Sequence, residues 1–511
     1  MSDWTQGYVA EIDYTHGYYS ELNPQRIKLA FLNAGLAFPE VGSACELGFG
    51  QGVSANMHAA ASLTQWSGTD FNPGQAAFAQ ELQSASGAQA RWFDESFEEF
   101  ASRPDLPEFD YIGLHGIWSW VSDTNRAVIV DFLRRKLKVG GVFYVSYNTL
   151  PGWAAFAPVR HLITQHAQHF GARGKGMSSR VDEALAFADT LMATKPVYGT
   201  VNSSVAARLE ALKAHSRHYL AHEYFNKDWH PMYFADMAQW MGQAKLEFAC
   251  SAHYLDCVEP INVTAEQQQL LDQITDPLFK QSIRDFVVNQ QFRRDYWVKG
   301  KRKLSKLAQN QQLEAQQVLL VAHRPDIKLT VQGALGEANL FEGVYNPLLD
   351  LLSDHKPMSI GQLADIVQAQ GITRPQVVQA AMVLIGAGYA TAVQTTEPSE
   401  RVRAQTERLN AMLMHKAKGD GQVAYLASPL SGGGFAVGRF TQLFLLAIKE
   451  GHLGSGRWAK YVWDILSAQG QKIIKDGQVL STEQENLAEL ASQAQEFERK
   501  VLPVLRALLV A

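Results

Sequence analysis

The segment from Cys45 to Asp70 limits the possible folds of this chain more than any other part of the sequence. The apolar residues VGSACEL, which end at Leu47, predict a short buried strand that stops at a glycine-rich turn, GFGQG. A helix-compatible stretch follows, and Asp70 ends the next apolar run, 22 residues after Gly48. A strand, a glycine turn, a helix and a second strand ending in an acid are typical of a nucleoside-binding α/β unit. Glycines there let the backbone approach a ligand closely, and the acid accepts hydrogen bonds from ribose hydroxyls.

An acid inside the turn indicates which nucleoside the unit binds. Dinucleotide-binding folds read G-x-G-x-x-G, whereas this chain reads E-L-G-x-G-x-G and places Glu46 beside the loop. A carboxylate at that point repels a pyrophosphate and attracts a cationic group, such as the amino group of S-adenosylmethionine. The pattern resembles motif I of class I methyltransferases, and Asp70 lies at the matching distance. The alternative is a glycine-rich turn of some other α/β protein.

Alternating strand and helix patterns continue along the chain and predict a parallel sheet covered on both faces. The segments GAQARWF, EFDYIGL and GGVFYVSYNT predict the third, fourth and fifth strands. Residues 161–229 are predicted to form successive helices, which we interpret as an insertion over the strand ends, where ligands bind in such folds. The chain is then expected to return to the sheet at about 230–260. Another helical run, PLFKQSIRDFVVNQQFRRDYWVKG, is predicted after it.

The predicted fold class is α/β, a doubly wound Rossmann-like sheet with a helical insertion, a winged-helix-like module and a mostly helical C-terminal module. The core is predicted at 1–160, and the chain is expected to return to it at about 230–260 after the insertion at 161–229. Residues 230–335 are predicted to hold the remainder of the core and a further region. The winged-helix-like module is predicted at 336–400 and the C-terminal module at 401–511.

Composition excludes several classes of function. The 511 residues carry a net charge of -5, with a pI near 6.3, so no overall basic field attracts nucleic acid. The third helix of the winged-helix-like module carries one arginine, Arg374, and no lysine, so we expect no nucleic-acid binding there. Cys45, Cys250 and Cys257 lack metal-ligand spacing, which predicts no metal site and buried thiols in a reducing compartment. No apolar run reaches membrane length and the first residues do not read as a signal peptide, so we expect a cytoplasmic protein without membrane insertion.

The loop after the fourth predicted strand should select the nucleophile. Methyl transfer from a sulfonium depends on alignment and on the exclusion of water more than on acid–base help. The loop reads LHGIWSWV. It lacks the Asn/Asp-Pro-Pro-aromatic motif of base amino methyltransferases, the Pro-Cys of cytosine C5 enzymes and the paired glutamates of arginine methyltransferases. What remains is aromatic and neutral apart from one histidine, with no carboxylate base evident, and it suits a lysine amine.

Single residues of this region leave two interpretations open. Trp118 and Trp120 are candidates for the wall of a substrate channel, and the alternative is that they anchor the core. His115 is a candidate for contact with the cofactor or the nucleophile, and otherwise a satisfied core histidine. Tyr14, Tyr18 and the adjacent Tyr19 are further candidates for the aromatic wall.

Four motifs in a fixed order extend this interpretation. They are HGIWSWV, VSYNTLPGW, HEYFNKDWHPMYF and QSIRDFVVNQQFR. Together they resemble class I methyltransferases that carry the methyltransferase regulatory region, a bacterial family that includes protein lysine methyltransferases acting on outer-membrane proteins. The resemblance extends from about Tyr14 to the C-terminus and places the regulatory region within 230–335.

The resemblance implies a set of site residues. Glu46, Gly48 and Gly50 would lie against the methionine part of the cofactor, and His115 would face it. Asp70 would hold the ribose. The residues implied at the adenine are Phe71, Asp94, Ser96 and Phe97. The implied catalytic residues are His115, Trp118 and Tyr18, and the implied substrate channel consists of Tyr14, Tyr18, Trp118, Trp120 and Asn148. The N-terminal segment THGYYSELNP departs from the family pattern, which leaves the roles of Tyr18 and Tyr19 open.

We therefore predict an S-adenosylmethionine-dependent methyltransferase that acts on lysine side chains of a protein substrate and releases S-adenosylhomocysteine. The alternatives are a small-molecule N- or O-methyltransferase and a non-catalytic module that only binds the cofactor. The intact loop with Glu46 and Asp70 argues against the last, and the extra modules argue for a large substrate. A homodimer is left open.

Overall fold

A seven-stranded mixed sheet forms the centre of the structure, a computed structural model that describes residues 15–170, 176–215 and 217–511. The strands lie in the order β3-β2-β1-β4-β5-β7-β6, and β7 alone runs in the direction opposite to the other six strands. Their bounds are β1 Ser43–Leu47, β2 Gln65–Thr69, β3 Ala90–Phe93, β4 Phe109–Leu114, β5 Leu137–Asn148, β6 Leu246–Ser251 and β7 Phe292–Lys299.

Helices cover both faces of this sheet, as the alternating pattern predicts. The helices up to residue 299 are α1 Pro24–Asn33, α2 Val53–Ala61, α3 Pro73–Ser86, α4 Phe97–Ser102, α5 Asp123–Lys136, α6 Leu150–Trp153, α7 Ala157–His169, α8 Met177–Ala193, α9 Val197–Val201, α10 Ser204–Leu212, α11 Arg217–Tyr224, α12 Phe234–Gln243, α13 Glu259–Asn262, α14 Ala265–Gln273 and α15 Pro277–Val287. Helices α1, α2 and α3 contribute to one apolar core, and α4, α5 and α12 contribute to another on the opposite face. Because both faces are covered, β1 is apolar almost throughout, with Glu46 as the buried exception.

The last strand corrects one expectation. The run PLFKQSIRDFVVNQQFRRDYWVKG was predicted as helix throughout, but the helix ends at Val287 and β7 pairs between β5 and β6. Tyr296 and Trp297 point to opposite faces and are both buried, which a central strand requires. The charge of Arg293 is neutralised by the buried carboxylates of Asp285 and Asp295. These pairings are long-range features of the sheet, so the local sequence reads as a polar helix.

The predicted insertion has a small core of its own. Trp153 and Phe156 pack there with residues of α7, α8, α10 and α11, down to Tyr224. Tyr224 lies edge-on to Phe156, with 6.2 Å between ring centroids. The next residues lead back to the sheet through α12 and β6.

The rest of the chain is mostly helical and packs onto the part of the molecule that contains α2 and α3. Its elements are α16 Lys306–Glu314, β8 Gln317–Leu320, β9 Thr330–Gly333, β10 Gly336–Asn339, α17 Glu342–Leu351, β11 Met358–Ser359, α18 Ile360–Val367, α19 Arg374–Gly386, β12 Ala390–Val393, α20 Thr396–Lys416, β13 Tyr425–Ser428, β14 Gly433–Ala436, α21 Arg439–Lys449, α22 Ser455–Ala468, β15 Ile474–Lys475, β16 Gln478–Val479, α23 Glu483–Glu496 and α24 Leu502–Ala507. Strands β11, β8 and β12 form a small sheet beside α17, α18 and α19, so this winged-helix-like unit includes residues before 336. In the described ranges, no helix combines the length and the apolar character that crossing a bilayer requires.

Candidate functional site

The glycine turn after β1 forms the floor of a cavity of about 240 Å³ at the carboxyl ends of the strands. Gly48 has a φ of +68°, and a Cβ there would lie 2.9 Å from the side chain of Ile117. Gly52 has a φ of +67°, and its Cβ would meet that of Ala79 at 2.5 Å. Both positions therefore exclude larger residues. Gly50 lies between them and also lines the cavity, and without a side chain its backbone is open to close approach by a ligand.

Asp70 follows β2 and is held by the same turn. Its Oδ2 accepts a hydrogen bond from the Gly50 amide at 2.9 Å, and its Oδ1 accepts one from Asn72 at 3.0 Å. Burial raises the pKa of Asp70 to about 6, although both amide hydrogen bonds oppose the rise. Each oxygen keeps a lone pair, so the carboxylate can accept hydrogen bonds from a diol in the cavity.

Glu46 is the second buried acid of the site. It is 2% exposed, and its Oε2 has no hydrogen-bond partner among the described residues. Burial and the nearby charge of Asp70 raise the pKa of Glu46 to about 8. A buried carboxyl oxygen without a partner fits the cationic end of S-adenosylmethionine, while Asp70 fits its ribose.

The residues that the resemblance implies at the adenine also line the cavity. Phe71, Asp94, Ser96 and Phe97 all contribute to the wall. Ser96 has a structural role as well, because its Oγ accepts from the Glu99 amide at 3.3 Å and donates to the Glu99 carboxylate at 2.7 Å. This capping box starts α4 and fixes the turn on which Phe97 sits.

His115 lies at the end of β4 and faces the cavity. Its Nδ1 shares a hydrogen bond with the Tyr144 hydroxyl at 2.8 Å. Its ring stacks on Tyr19, with centroids 3.7 Å apart. Burial lowers the pKa of His115 to about 4, with a further decrease from Arg294, and Glu21 opposes both. The imidazole is therefore neutral at physiological pH.

Two predicted channel residues prove to be parts of the core. Trp118 is fully buried, donates from Nε1 to the Met232 sulfur at 3.2 Å and packs edge-on against Trp240. Asn148 is 5% exposed, and its backbone amide donates to the Ser119 hydroxyl. Neither lines the cavity, so their assignment to the channel is wrong. Of the two tryptophans, only Trp120 lines the cavity. Trp118 and Trp120 are the first and last residues of a single 3-10 turn, so their side chains point in different directions.

Tyr18 also lies away from the cavity, which corrects its predicted catalytic role. Its hydroxyl is 3.3 Å from Nε2 of His58, and its ring packs against Tyr425. A Cβ on Gly433 would lie 2.3 Å from that hydroxyl, so the β13–β14 hairpin is fitted closely around it. The neighbouring Tyr19 takes the place on the cavity wall. Tyr14, the remaining predicted channel residue, lies outside the described residues.

The insertion adds a wall that sequence reasoning missed. Residues of α11 and the turn after it line the cavity: His222, Glu223, Asn226 and Asp228. They belong to the motif HEYFNKDW, which carried the family resemblance but no assigned role. The expectation of a neutral channel without a carboxylate is therefore wrong. The motif itself was the available signal, since it places Glu223 and Asp228 in a segment that already carried the family resemblance.

The charge of the whole wall has a single sign. Among the described residues, no lysine or arginine lines the cavity. The seven carboxyl side chains that do are Glu46, Asp70, Asp94, Glu95, Glu99, Glu223 and Asp228. Such a cavity attracts cations and repels phosphates and carboxylates.

Comparisons with known proteins agree with this geometry. A family model described as a predicted methyltransferase regulatory domain matches residues 216–299. The Synechocystis protein sll1526 is 41% identical over 508 residues, which are 98% of each chain. The Rickettsia prowazekii protein RP789 is 26% identical over 292 residues, 55% of this chain and 51% of that protein.

Solved structures also match almost the whole chain. PKMT2 from Rickettsia typhi, in complex with AdoHcy, superposes with a TM-score of 0.70 at 17% identity, over 97% of this chain and 99% of that chain. This similarity confirms the predicted class I methyltransferase fold, including its helical C-terminal region. A neighbour that holds AdoHcy also accords with S-adenosylmethionine as the cofactor that the cavity fits.

Proposed function

This chain belongs to the family of the Synechocystis protein sll1526, and from that premise we propose that it transfers the methyl group of S-adenosylmethionine to lysine side chains of a protein. The observation that carries the proposal is the acidic cavity, which has no lysine or arginine among the described residues of its wall. A lysine ammonium is drawn into such a site, whereas carboxylate or phosphate substrates are repelled.

The cofactor half of the cavity has the groups that binding requires. When bound, S-adenosylmethionine supplies an electrophilic methyl group on a sulfonium. Glu46 would hold the cationic amino group of the methionine part, and Asp70 would accept hydrogen bonds from the ribose hydroxyls. Holding both ends fixes the direction along which a nucleophile has to approach.

Aromatic side chains prepare the nucleophile. Tyr19 and Trp120 line the cavity and offer ring faces to a cation. The same rings displace water, which lowers the pKa of a bound ammonium and favours the neutral amine. His115 positions this wall through its stacking on Tyr19, and with a pKa of about 4 it is a poor acceptor for an ammonium proton.

The chemical identity of the methylated group tests the proposal. Purified protein and methyl-labelled S-adenosylmethionine are added to a lysate of the source cell, and the labelled protein is hydrolysed and analysed. We expect label in methyllysine. Label confined to small molecules, to methylarginine or to base-labile esters would contradict the proposal. Asp70→Asn serves as the control for transfer that depends on the cofactor site.

A further inference from the structure

Helix α11 places one carboxylate where a substrate amine would arrive. Glu223 lines the cavity together with Asn226 and Asp228, and none of the three belongs to the loops after β1, β2 and β3 that fit the cofactor. We propose that Glu223 is a catalytic residue that binds the substrate ammonium and takes its proton before methyl transfer. This inference rests on the proposed function and names a base for it.

Hydrogen bonds fix the backbone on both sides of Glu223. The Asn226 carbonyl accepts from Nη2 of Arg160 at 2.9 Å, and Asn226 Nδ2 donates to the His222 carbonyl at 2.7 Å. The Arg160 guanidinium lies 4.8 Å from the centre of the Trp229 ring. These contacts fix the backbone on both sides of Glu223, so the carboxylate stays at the cavity wall.

The carboxylate itself is not engaged by the protein. Glu95 is paired with Arg103 at 2.5 Å, and Glu99 is bound in the capping box. Glu223 is half-buried and has no hydrogen bond or salt bridge to any residue in the described ranges. It is therefore available for a cation in the cavity.

The surroundings of Glu223 raise its pKa into the range in which a carboxylate can act as a general base. Burial raises the pKa of Glu223 to about 7, and the positive charge of Arg160 on α7 opposes this rise. A carboxylate with that pKa is ionised in about half of the molecules at neutral pH and more completely above it. The other titratable groups close to Glu223 are Tyr219, His222 and Tyr224 on its own helix, Arg208 on α10 and Asp228 after the helix. The others on the cavity wall are Tyr19, Glu46, Asp70, Asp94, Glu95, Glu99 and His115.

The proton balance of the step is simple. The ammonium R–NH₃⁺ gives one proton to the Glu223 carboxylate, which leaves R–NH₂ and a neutral carboxylic acid. The nitrogen lone pair then forms the N–CH₃ bond as the S–CH₃ bond breaks, and the sulfonium becomes a neutral thioether. The carboxylic acid of Glu223 afterwards releases its proton to solvent, which regenerates the base, and the product leaves as a methylated ammonium.

The test compares Glu223→Gln with wild type on a synthetic peptide library that has one central lysine. We expect turnover near pH 7.5 to fall about 100-fold with unchanged cofactor affinity by calorimetry. The wild-type kcat/KM should rise with pH near pH 7, as Glu223 ionises. This rise should be absent from Glu223→Gln, whose rate should increase only at higher pH, where the free amine becomes abundant. Glu223→Asp should restore part of the activity and the rise. Infrared spectra should show a carboxylic acid band that titrates near pH 7 in wild type and is missing in Glu223→Gln.

Glu210→Gln is the matched control, because Glu210 lies exposed on α10 of the same insertion and pairs with Lys213 at 2.5 Å. It should leave the rate and the pH profile unchanged. An unchanged profile in Glu223→Gln, or a loss of cofactor affinity equal to the loss of turnover, would overturn the role of Glu223 while methyllysine formation by wild type stands. A wild-type protein that forms no methyllysine overturns the proposed function, and this inference with it.

Discussion

At the scale of single residues, two neighbouring buried carboxyl groups, Glu46 and Asp70, are the groups that we propose hold the cofactor. Both have raised pKa values, about 8 and about 6, because burial disfavours their charged forms. A bound cation reverses that effect and favours ionisation. Their electrostatic cost in the free protein is therefore offset when the cofactor binds.

Asp70→Ala should weaken cofactor binding ten- to a hundredfold. A hydrogen bond to a charged group contributes on the order of 1.5–3 kcal/mol, and the ribose loses its acceptor in this variant. Calorimetric titration with S-adenosylhomocysteine measures the change. Asp131→Ala, an exposed acid paired with Arg135 on α5, is the control and should bind normally. Normal affinity in Asp70→Ala would show that the ribose lies elsewhere.

Glu46→Gln should change the proton balance of binding. In the free protein at pH 7 this carboxyl is mostly protonated, since its pKa is about 8, and a bound cation lowers that pKa. Wild type should thus release protons on binding the cofactor, measured by calorimetry in buffers with different ionisation enthalpies, and Glu46→Gln should release fewer.

The same group has a defined effect on stability. Its folded pKa is raised above the value of 4.5 for an unperturbed glutamate, so its stabilising contribution is complete below about pH 4.5 and is lost as pH rises to about 8. The melting temperature of the ligand-free protein should therefore decrease less steeply over this window in Glu46→Gln. An equal slope in both proteins would contradict the assignment.

At the scale of elements, the short turn after β4 separates two tryptophans by function. Trp118 fills the core between β4 and α12, and its carbonyl accepts from Nε of Arg126 at 3.1 Å. Trp120 faces the cavity and lies 6.4 Å from the ring of Trp229, between centroids. The turn therefore links the packing of the sheet to the wall of the cavity.

Trp118→Ala and Trp120→Ala should separate stability from turnover. Removal of the buried Trp118 side chain should lower the free energy of unfolding by about 3–5 kcal/mol. Trp120→Ala should cost less stability and reduce methyl transfer more than cofactor affinity, because it opens the aromatic wall to water. Urea unfolding and steady-state kinetics measure both effects. Equal loss of stability in the two variants would place both side chains in the core.

The contact between the glycine turn and Asp70 could be predicted from sequence because it is local. Gly48, Gly50 and Asp70 lie at fixed spacings on adjacent elements, so their meeting follows from the βαβ unit alone. The roles of Trp118 and Glu223 depend on which distant element packs against each. Met232 of the segment before α12 receives the indole of Trp118, and the insertion has to fold over the strand ends before Glu223 reaches the cavity. Single-sequence patterns do not encode such contacts.

At the scale of the whole molecule, the C-terminal half shares its core with the cofactor-binding half. One continuous apolar cluster extends from Leu22 to Val510. Polar contacts join the same surfaces: Gln394 donates to the Ala61 carbonyl at 3.0 Å, and Arg408 donates to the Ser86 carbonyl at 2.6 Å. The insertion, by contrast, has a separate core.

This difference predicts two units of unfolding. Helices α2 and α20 pack together in the shared core, so their amides should exchange with solvent through one common opening reaction. Helix α8 in the insertion should open at a lower free energy, because its small core can separate without exposing the sheet. Native-state hydrogen exchange in increasing denaturant measures these free energies. Saturating S-adenosylhomocysteine should raise protection of α2 and of the distant α20 by the same factor, since a ligand stabilises every residue that exposes its site on opening. Protection that rises in α2 while α20 is unchanged would show that the C-terminal half opens independently of the cofactor site.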